Sequence, residues 1–371
     1  MRYLFYIIIF LSITSCNKTT TAKKSFYPFI KKLDISYNIS IDQFENSTII
    51  TQIHNDIKQT DSSNSENLIS FLTLKKDTLL WKIKKTDGSE SFNNLTKIKN
   101  RYLRTSTIPR TLGKNLRSTN VIAKYDENFK FLSSKEFDLG TYPSAESFII
   151  ANENNLIHIS NLFNHGKAEE LILRECNLNF EILREVKYST QIKSSFRPIF
   201  SQKYDDKHFI LIADKSSYEK RMNNYEISLF DNNLILKWTK QIQLNNITNA
   251  LFLPKTKTLI ITNNINNNEI INTYDYKGDF LKSMTISNFK IDEITANNDY
   301  FFVKGKYDNG ISKILKLDNK AKILIEEIID YTNYYEQQKF IVSKDGYFLC
   351  YYNSKNGIFK VSQIFKNNKS S

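Results

Sequence analysis

Arginine is the residue type whose spacing most suggests a binding site in this sequence. Four of the nine arginines lie within seventeen residues: Arg101, Arg104, Arg110 and Arg117. Lys114 lies among them, and no acid occurs between residues 101 and 124, although the chain as a whole prefers lysine, with 43 Lys against 9 Arg. Because a planar guanidinium binds carboxylate, phosphate or sulfate through paired hydrogen bonds, the cluster predicts an anion-preferring site.

A second basic pair, Lys220 and Arg221, falls in a polar stretch between two later apolar runs. The predicted ligand-binding set is therefore Arg104, Arg110, Lys114, Arg117, Lys220 and Arg221. There are two alternatives. In the first, Arg101 and Arg104, which flank a predicted strand, pair with acids of neighbouring repeats instead of a ligand. In the second, the net charge of +13 reflects a genomic preference for lysine, spread over a solvated surface, rather than an anionic partner.

Other chemically competent residues do not form a recognisable catalytic or metal site. The adjacent acids Asp205-Asp206 and Glu326-Glu327 are candidates for general acid–base work. However, neighbours in a strand point to opposite faces, and the first pair suits a tight turn. No nucleophile elbow, phosphate loop, dinucleotide fingerprint or HExxH motif occurs. We predict no catalytic residue, no cofactor and no metal, and we expect Cys176 and Cys350, which lie in strand-like runs, to be buried free thiols.

The first sixteen residues, MRYLFYIIIFLSITSC, predict an export signal. The apolar run from Tyr3 to Leu11 is too short to span a bilayer but suits a signal peptide. The ending Ile13-Thr14-Ser15-Cys16 resembles the bacterial lipobox, which implies cleavage before Cys16 and acylation of its thiol and new amino group. The alternative is an ordinary secretory signal that ends near a chance cysteine.

The segments beside this signal give the expected organisation and location. Residues 1–15 are the predicted signal peptide, 16–25 an acylated cysteine with a flexible tether, 26–366 one folded domain, and 367–371 a disordered tail. Asn17 in place of Asp, with no early acids, favours a lipoprotein of the outer membrane on its periplasmic side. Asp77-Thr78-Leu79 resembles a short O-glycosylation acceptor of Bacteroidetes, a weak signal that leaves modification open.

The elements that would hold these residues recur along the chain. A strand, a short turn and a second strand repeat with turn entries 43 to 54 residues apart, at Lys75, Asp126, Asn177, Asp231, Asp275 and Asp318. Further strands precede each hairpin, such as HFILIAD from His208 and YFFVKGKY from Tyr300. Four strands in a period of about 40–50 residues resemble the blades of WD40-like and quinoprotein-like β-propellers.

The two ends of the chain predict how this ring closes. Ile358 to Phe365 is a third strand with no fourth strand after it, and Phe26 to Ser36 is a strand-like run before the first complete unit. We therefore predict an all-β propeller of seven four-stranded blades, in which the N-terminal strand completes the last blade and removes a free edge. A pair of β-sandwiches is the alternative architecture.

Loop lengths predict where a propeller of this kind would bind a partner. The connections between the second and third strands are predicted to be long at Asn55–Asn67, Ile108–Asn120 and Asp214–Asn224, and function concentrates on loops of rigid scaffolds. The sequence thus favours a lipid-anchored binding or scaffold module for a protein, peptide or acidic glycan, with no nucleic-acid partner. A propeller enzyme, such as a polysaccharide lyase or glycosidase, is the alternative.

Overall fold

The described part of the chain consists of strands and the turns between them, without a helix. A computed structural model describes residues 23–25, 29–32, 38–44, 47–54, 66–74, 79–86, 95–112, 115–127, 130–138, 147–162, 170–189, 196–215, 224–297, 299–329, 336–343, 346–353 and 355–365. Short apolar and β-branched runs between Asn- and Asp-rich turns account for this strand-only pattern.

The strands form separate antiparallel sheets, each of which runs from an inner to an outer strand. Sheet 1 contains β3 Asn38–Phe44, β4 Ser47–His54, β5 Glu66–Leu74, β6 Leu79–Thr86 and β1 Lys23–Ser25. Sheet 2 contains β7 Leu95–Ile98, β8 Arg101–Leu112, β9 Asn115–Tyr125 and β10 Phe131–Asp138. Sheet 3 contains β11 Phe148–Ala151, β12 Asn155–Leu162, β13 Glu170–Asn177 and β14 Ile182–Ser189.

The remaining sheets follow the same order. Sheet 4 contains β15 Arg197–Lys203, β16 His208–Asp214, β17 Asn224–Asp231 and β18 Leu236–Gln243. Sheet 5 contains β19 Ile247–Leu253, β20 Thr258–Ile265, β21 Asn268–Tyr274 and β22 Phe280–Ile286. Sheet 6 contains β23 Phe289–Ala296, β24 Tyr300–Tyr307, β25 Ser312–Asp318 and β26 Ile323–Ile329. The closing sheet contains β27 Glu336–Ser343, β28 Gly346–Asn353, β29 Ile358–Ile364 and β2 Phe29–Lys32.

These sheets are arranged as a β-propeller. From β7 through β11, β15, β19 and β23 to β27, each inner strand contacts the inner strand of the next sheet, and β27 contacts β3. The predicted all-β propeller fold is therefore confirmed. The predicted seven four-stranded blades are not confirmed, because in the described residues six sheets have four strands and sheet 1 has five.

The fifth strand of sheet 1 lies in a segment predicted as a flexible tether. β1 pairs with β6 through Lys23↔Trp81, Lys24↔Leu80 and Ser25↔Leu79. Without β1 the outer edge of β6 would expose unpaired backbone groups, and covering such edges is a common protection against aggregation. The tether prediction is therefore wrong for residues 23–25.

The chain ends meet in the closing sheet. β2 pairs with β29 through Phe29↔Val361, Ile30↔Lys360, Lys31↔Phe359 and Lys32↔Ile358. This is the predicted pairing of an N-terminal strand with the last strand of the chain. Phe359 and Val361 are fully buried, so the closing sheet adds apolar burial as well as backbone hydrogen bonds.

Antiparallel connections define two rims of the ring. The turns between the first and second strands and between the third and fourth strands of each sheet lie on one rim, called the turn rim. The connections between second and third strands, and those that join consecutive sheets, lie on the other, called the loop rim. The two rims differ in how regularly they are built.

One turn geometry recurs on the turn rim between third and fourth strands. In four sheets, an Asn or Asp side-chain oxygen accepts the backbone N–H groups two and four residues later, at 2.8–3.0 Å; the residues are Asn177, Asp231, Asp275 and Asp318. These are four of the six predicted turn entries. The short side chain satisfies two donors that the bulge in each hairpin leaves unpaired.

The fourth residue of each of these turns has positive φ and meets the preceding sheet. Phe180, Leu234 and Ala321 have φ of 66°, 65° and 57°, and all three are at most 3% exposed. Leu234 packs with residues of sheets 3 and 4, including Ile157 and Phe209. The unfavourable backbone conformation is thus offset by apolar burial between consecutive sheets.

The apolar core is distributed between consecutive sheets rather than gathered at one centre. Successive clusters join sheets 2 and 3, 3 and 4, 4 and 5, 5 and 6, and sheet 6 with the closing sheet. The second and third strands of sheet 4 are the clearest example: β16 is buried from Phe209 to Asp214, and β17 is buried from Tyr225 to Asp231. Each sheet therefore stabilises its neighbours, and the loop rim stands on a packed scaffold.

Candidate functional site

Among the residues that the structure describes, the loop rim carries a projecting hairpin in sheet 2. β8 pairs with β7 only from Arg101 to Arg104, and β9 pairs with β10 only from Thr119 to Tyr125. Beyond these points the two strands pair with each other alone, through Pro109↔Ser118, Arg110↔Arg117, Thr111↔Leu116 and Leu112↔Asn115. We call residues 109–118 the hairpin arm. The long loop predicted at Ile108–Asn120 is therefore largely a paired hairpin.

Sequence explains why this segment pairs although it contains proline. Pro109 lies where β8 has β9 as its single described partner, so its missing N–H need not remove a hydrogen bond from the sheet. Thr105, Thr107 and Ile108 are β-branched, and β-branched residues are enriched in strands. Pro109 and Gly113 are nevertheless both typical of turns, so the local residue types alone do not indicate this pairing.

The base of the hairpin arm is held by buried polar side chains. Asn120 Nδ2 donates to Ser147 Oγ, and His158 Nε2 lies 2.9 Å from Asn120 Oδ1. Because the Asn120 amide nitrogen already donates to Ser147, its oxygen accepts from His158, which places the imidazole proton on Nε2. Burial, with a smaller contribution from the nearby Arg174 charge, lowers the pKa of His158 to about 3. The imidazole is therefore neutral at physiological pH.

The predicted basic residues fall into three groups in the structure. Arg110 and Arg117 occupy directly opposite positions of the hairpin arm. Arg104 is 8% exposed and takes part in an interaction inside the protein, so it is not a surface group, whereas Arg101 at the start of β8 is exposed. Lys114, Lys220 and Arg221 lie outside the described residues.

Sequence reasoning missed a group of paired charges on the loop rim of sheet 4. Lys215 Nζ lies 2.6 Å from Glu226 Oε2, and Arg197 Nη2 lies 3.0 Å from Asp214 Oδ2. Lys215 also lies 4.6 Å from the centre of the Phe196 ring. These residues neutralise one another, and they precede or flank the segment that contains Lys220 and Arg221. Their spacing in sequence carries no motif, because the pairs form across strands.

A shallow depression opens on the loop rim between sheets 5 and 6. It has a volume of about 460 Å³ and is lined by Ser287, Asn288, Tyr307, Asp308 and Asn309. Two turns meet there, since Asp308 N donates to Asn288 O at 3.0 Å. No sequence motif marks it. The signal that could have found it is the register of the β23–β24 hairpin. Pairing the residues outward from its turn places Phe289 opposite Tyr307, so the segments on either side of this hairpin lie close together.

The remaining candidate groups are accounted for by structural contacts. Asp205 accepts from Lys207 N and contacts His208 Nδ1 at 2.8 Å, within the turn predicted for the Asp205-Asp206 pair. Glu326 pairs with Lys313 at 2.8 Å, whereas Glu327 accepts the backbone N–H of Phe365 at 2.8 Å. The two neighbouring glutamates thus serve different partners, which agrees with the predicted turn and opposite-face arrangements.

The cysteines behave as predicted. Cys176 and Cys350 are both buried and neither forms a disulfide, and burial raises the pKa of the Cys176 thiol to about 11. Within the described ranges, no group of three or more His, Cys, Asp and Glu side chains is arranged to hold a metal ion. No helix with the length and apolar character needed to cross a membrane occurs in the described residues. Cys16 and Asp77-Thr78 lie outside them.

Comparisons with known proteins returned structural similarities alone. No family model matches the chain, and no curated protein matches it. An uncharacterized protein from Listeria monocytogenes has a TM-score of 0.47 and 12% identity, over 92% of this chain and 99% of that chain. Cobalt-substituted apocarotenoid oxygenase from Synechocystis has a TM-score of 0.46 and 8% identity, over 91% and 88%. Prolyl oligopeptidase B from Galerina marginata has a TM-score of 0.45 and 11% identity, over 89% and 47%.

Proposed function

We propose that this chain is a lipid-anchored binding module of the bacterial cell envelope and that its hairpin arm binds an acidic glycan. The observation that carries the ligand class is the placement of Arg110 directly opposite Arg117. Like charges at opposite positions of an antiparallel pair destabilise it. A bound anion relieves this repulsion, and Arg is the side chain best suited to pair with carboxylate or sulfate.

Sequence around the hairpin arm supports the same ligand class. Lys114 falls between the two paired strands, and residues 101–124 include no acid that would neutralise these cations. The fixed base at Asn120 and His158 limits the conformational entropy that the hairpin arm loses when it binds. By contrast, the cations of the sheet 4 loop rim already have carboxylate partners.

The proposed anchor is a lipid on Cys16, in the outer membrane on its periplasmic side. Lys23 follows Cys16 by seven residues, and an extended chain of that length reaches about 25 Å at most. Since β1 lies at the outer edge of sheet 1, this edge would stay close to the lipid surface. Labelling of cells with a fatty-acid analogue should mark the protein, and Cys16→Ala should abolish the label while Cys176→Ala retains it. A label that persists in Cys16→Ala would contradict the anchor.

The ligand class is tested with the full chain in detergent and an array of acidic and neutral glycans. We expect acidic glycans to bind, more weakly at about 0.15 M salt than at low ionic strength, because exposed charges are screened. The double variant Arg110→Ala/Arg117→Ala should lose at least tenfold in affinity. Vesicles with anionic lipids and acidic peptides are included, since they share the anion chemistry and distinguish a membrane or protein partner from a glycan.

A matched control removes two cations from the turn rim. Lys207 and Lys320 are exposed, and Lys207→Ala/Lys320→Ala changes the net charge by the same amount as the arginine double variant. We expect it to bind acidic glycans like the parent chain. Equal losses in both double variants would show that total charge, not the hairpin arm, governs binding. If no anionic probe binds, the proposed ligand class is wrong.

A further inference from the structure

The depression between sheets 5 and 6 has a preformed shape. Asn288 N donates to Asn268 Oδ1 at 3.3 Å, and Asp308 N donates to Asn288 O at 3.0 Å. Gly310 N donates to Tyr307 O at 2.9 Å, and Ile311 N donates to Asn309 Oδ1 at 3.1 Å. The two turns that form its walls are therefore held by hydrogen bonds before any ligand binds, which reduces the entropic cost of binding.

A close approach of two strands sets the position of the tyrosine in its wall. A Cβ on Gly305 would lie 2.3 Å from Lys290 O and 2.5 Å from the Phe289 ring, so glycine is required there. Phe289 is 1% exposed, and its ring centre lies 4.7 Å from that of Tyr307 at an angle of 61°. Lys313 Nζ lies 5.2 Å from the Tyr307 ring centre, and Glu326 holds its charge in an ion pair.

The polar groups of the depression are available for hydrogen bonding. Within the described part of the chain, no residue binds the Ser287 hydroxyl, the Asn288 carboxamide, the Tyr307 hydroxyl or the Asp308 carboxylate. Asn309 uses its side-chain oxygen for Ile311 N, and its amide nitrogen has no partner there. The lining thus offers both donors and acceptors, which is the capacity that a ligand with several hydroxyl groups satisfies.

Charge and volume narrow the ligand class further. Asp308 supplies the one charged side chain among the lining residues, so an anion would be repelled rather than bound. The volume of about 460 Å³ lies within the range of roughly 300–1,000 Å³ that is usual for small-ligand sites. Because the depression is open to solvent, an apolar ligand would bury little of its own surface there.

We propose that this depression binds a neutral saccharide, through hydrogen bonds from its hydroxyl groups to Asp308, Asn288, Asn309, Ser287 and Tyr307. The proposal goes beyond the acidic-glycan function of the hairpin arm and does not depend on it. The hairpin arm belongs to sheet 2, whereas the depression lies between sheets 5 and 6, so the two sites share the loop rim without sharing residues. The two sites could be occupied by one glycan chain that has both acidic and neutral units, or by two separate ligands.

The test uses the full chain and a panel of neutral oligosaccharides built from glucose, mannose, galactose, xylose or N-acetylglucosamine, with acidic oligosaccharides as the opposite arm. Saturation-transfer NMR detects binding, and calorimetry measures affinity. We expect at least one neutral oligosaccharide to bind and Asp308→Ala to weaken it at least tenfold. Asn288→Gly removes the carboxamide but tolerates the φ of 52° at that position, and it should weaken binding as well.

Asp292→Ala is the matched control, since Asp292 is an exposed acid of the same sheet that does not line the depression. It should bind the saccharide like the parent chain, and all three variants should keep the parent melting temperature within a few degrees. The proposal is overturned if no neutral oligosaccharide binds, or if Asp308→Ala and Asp292→Ala behave alike. The variant Arg110→Ala/Arg117→Ala should lose binding of acidic glycans and keep binding of neutral oligosaccharides. The two proposed sites can therefore be confirmed or contradicted separately.

Discussion

Both rims of this propeller consist of connections that reverse the chain direction, but the two rims are built differently. On the turn rim, Asn177, Asp231, Asp275 and Asp318 repeat one hydrogen-bond pattern, and the residue three positions later packs against the preceding sheet. On the loop rim the described features differ between sheets: a projecting hairpin in sheet 2, paired charges in sheet 4, and a depression between sheets 5 and 6. The repeated turns stabilise the contact between consecutive sheets, whereas the features of the loop rim differ from sheet to sheet and can bind a ligand.

The largest expected effect concerns the ring on which both rims stand. Deletion of residues 358–371 removes β29, which leaves β2 without a partner and β28 paired with β27 alone. Burial of side chains such as Phe359 and Val361 contributes roughly 1.5–3 kcal/mol each, against a typical total stability of about 5–15 kcal/mol. We expect no cooperative unfolding transition by circular dichroism and aggregation in size-exclusion chromatography. Deletion of 366–371 is the control and should melt like the parent; a native-like melt of the longer deletion would show that β29 is dispensable.

A pair of glycines compares the two rims directly. Gly278 on the turn rim and Gly310 on the loop rim have φ of 76° and 88°, but a Cβ on Gly278 would lie 3.2 Å from both Trp238 and Lys240, whereas a Cβ on Gly310 meets nothing within 4 Å. Alanine at positive φ costs about 1–2 kcal/mol at either site, and overpacking adds roughly 1–3 kcal/mol at Gly278 alone. Urea denaturation of Gly278→Ala and Gly310→Ala should show the larger loss for Gly278→Ala. Equal losses would mean that contact with the preceding sheet contributes nothing.

A pair of aspartates makes the same comparison through hydrogen bonds. Asp318 on the turn rim accepts the N–H groups of Lys320 and Lys322 at 2.9 and 2.8 Å, while no described residue binds the side chain of Asp308 on the loop rim. Asp318→Ala should lower the free energy of unfolding by about 1–3 kcal/mol, because two donors lose their acceptor. Asp308→Ala should change it by less than about 0.5 kcal/mol, as surface substitutions usually do. A loss of similar size in both variants would contradict the division of roles between the rims.

Sequence reasoning succeeded where a pattern repeats and failed where it does not. Strand alternation and Asp or Asn at turn entries predicted β16 and β24 with their observed bounds, and the incomplete last unit predicted the pairing of β2 with β29. The hairpin arm was expected to be part of a long loop, because its pairing depends on strand register, which the local residue types do not show. The depression was missed because its walls lie twenty residues apart in the chain and meet only after β23 and β24 pair. The burial of Arg104 likewise depends on packing within the ring.

The smallest expected effect concerns the junction of sheets 2 and 3 at the base of the hairpin arm. Burial lowers the pKa of His158 to about 3, whereas an unfolded histidine titrates near 6.5. The unfolded chain therefore binds a proton below pH 6.5 that the folded chain does not bind until about pH 3, so stability is present above pH 6.5 and is lost as pH falls through this window. Between pH 6.5 and 5.5 the loss from His158 should be about 1 kcal/mol. Urea denaturation across this range should show a weaker pH dependence in His158→Gln than in the parent chain, because glutamine can donate to Asn120 without titrating. An unchanged slope in His158→Gln would show that groups other than His158 govern the acid sensitivity of the protein.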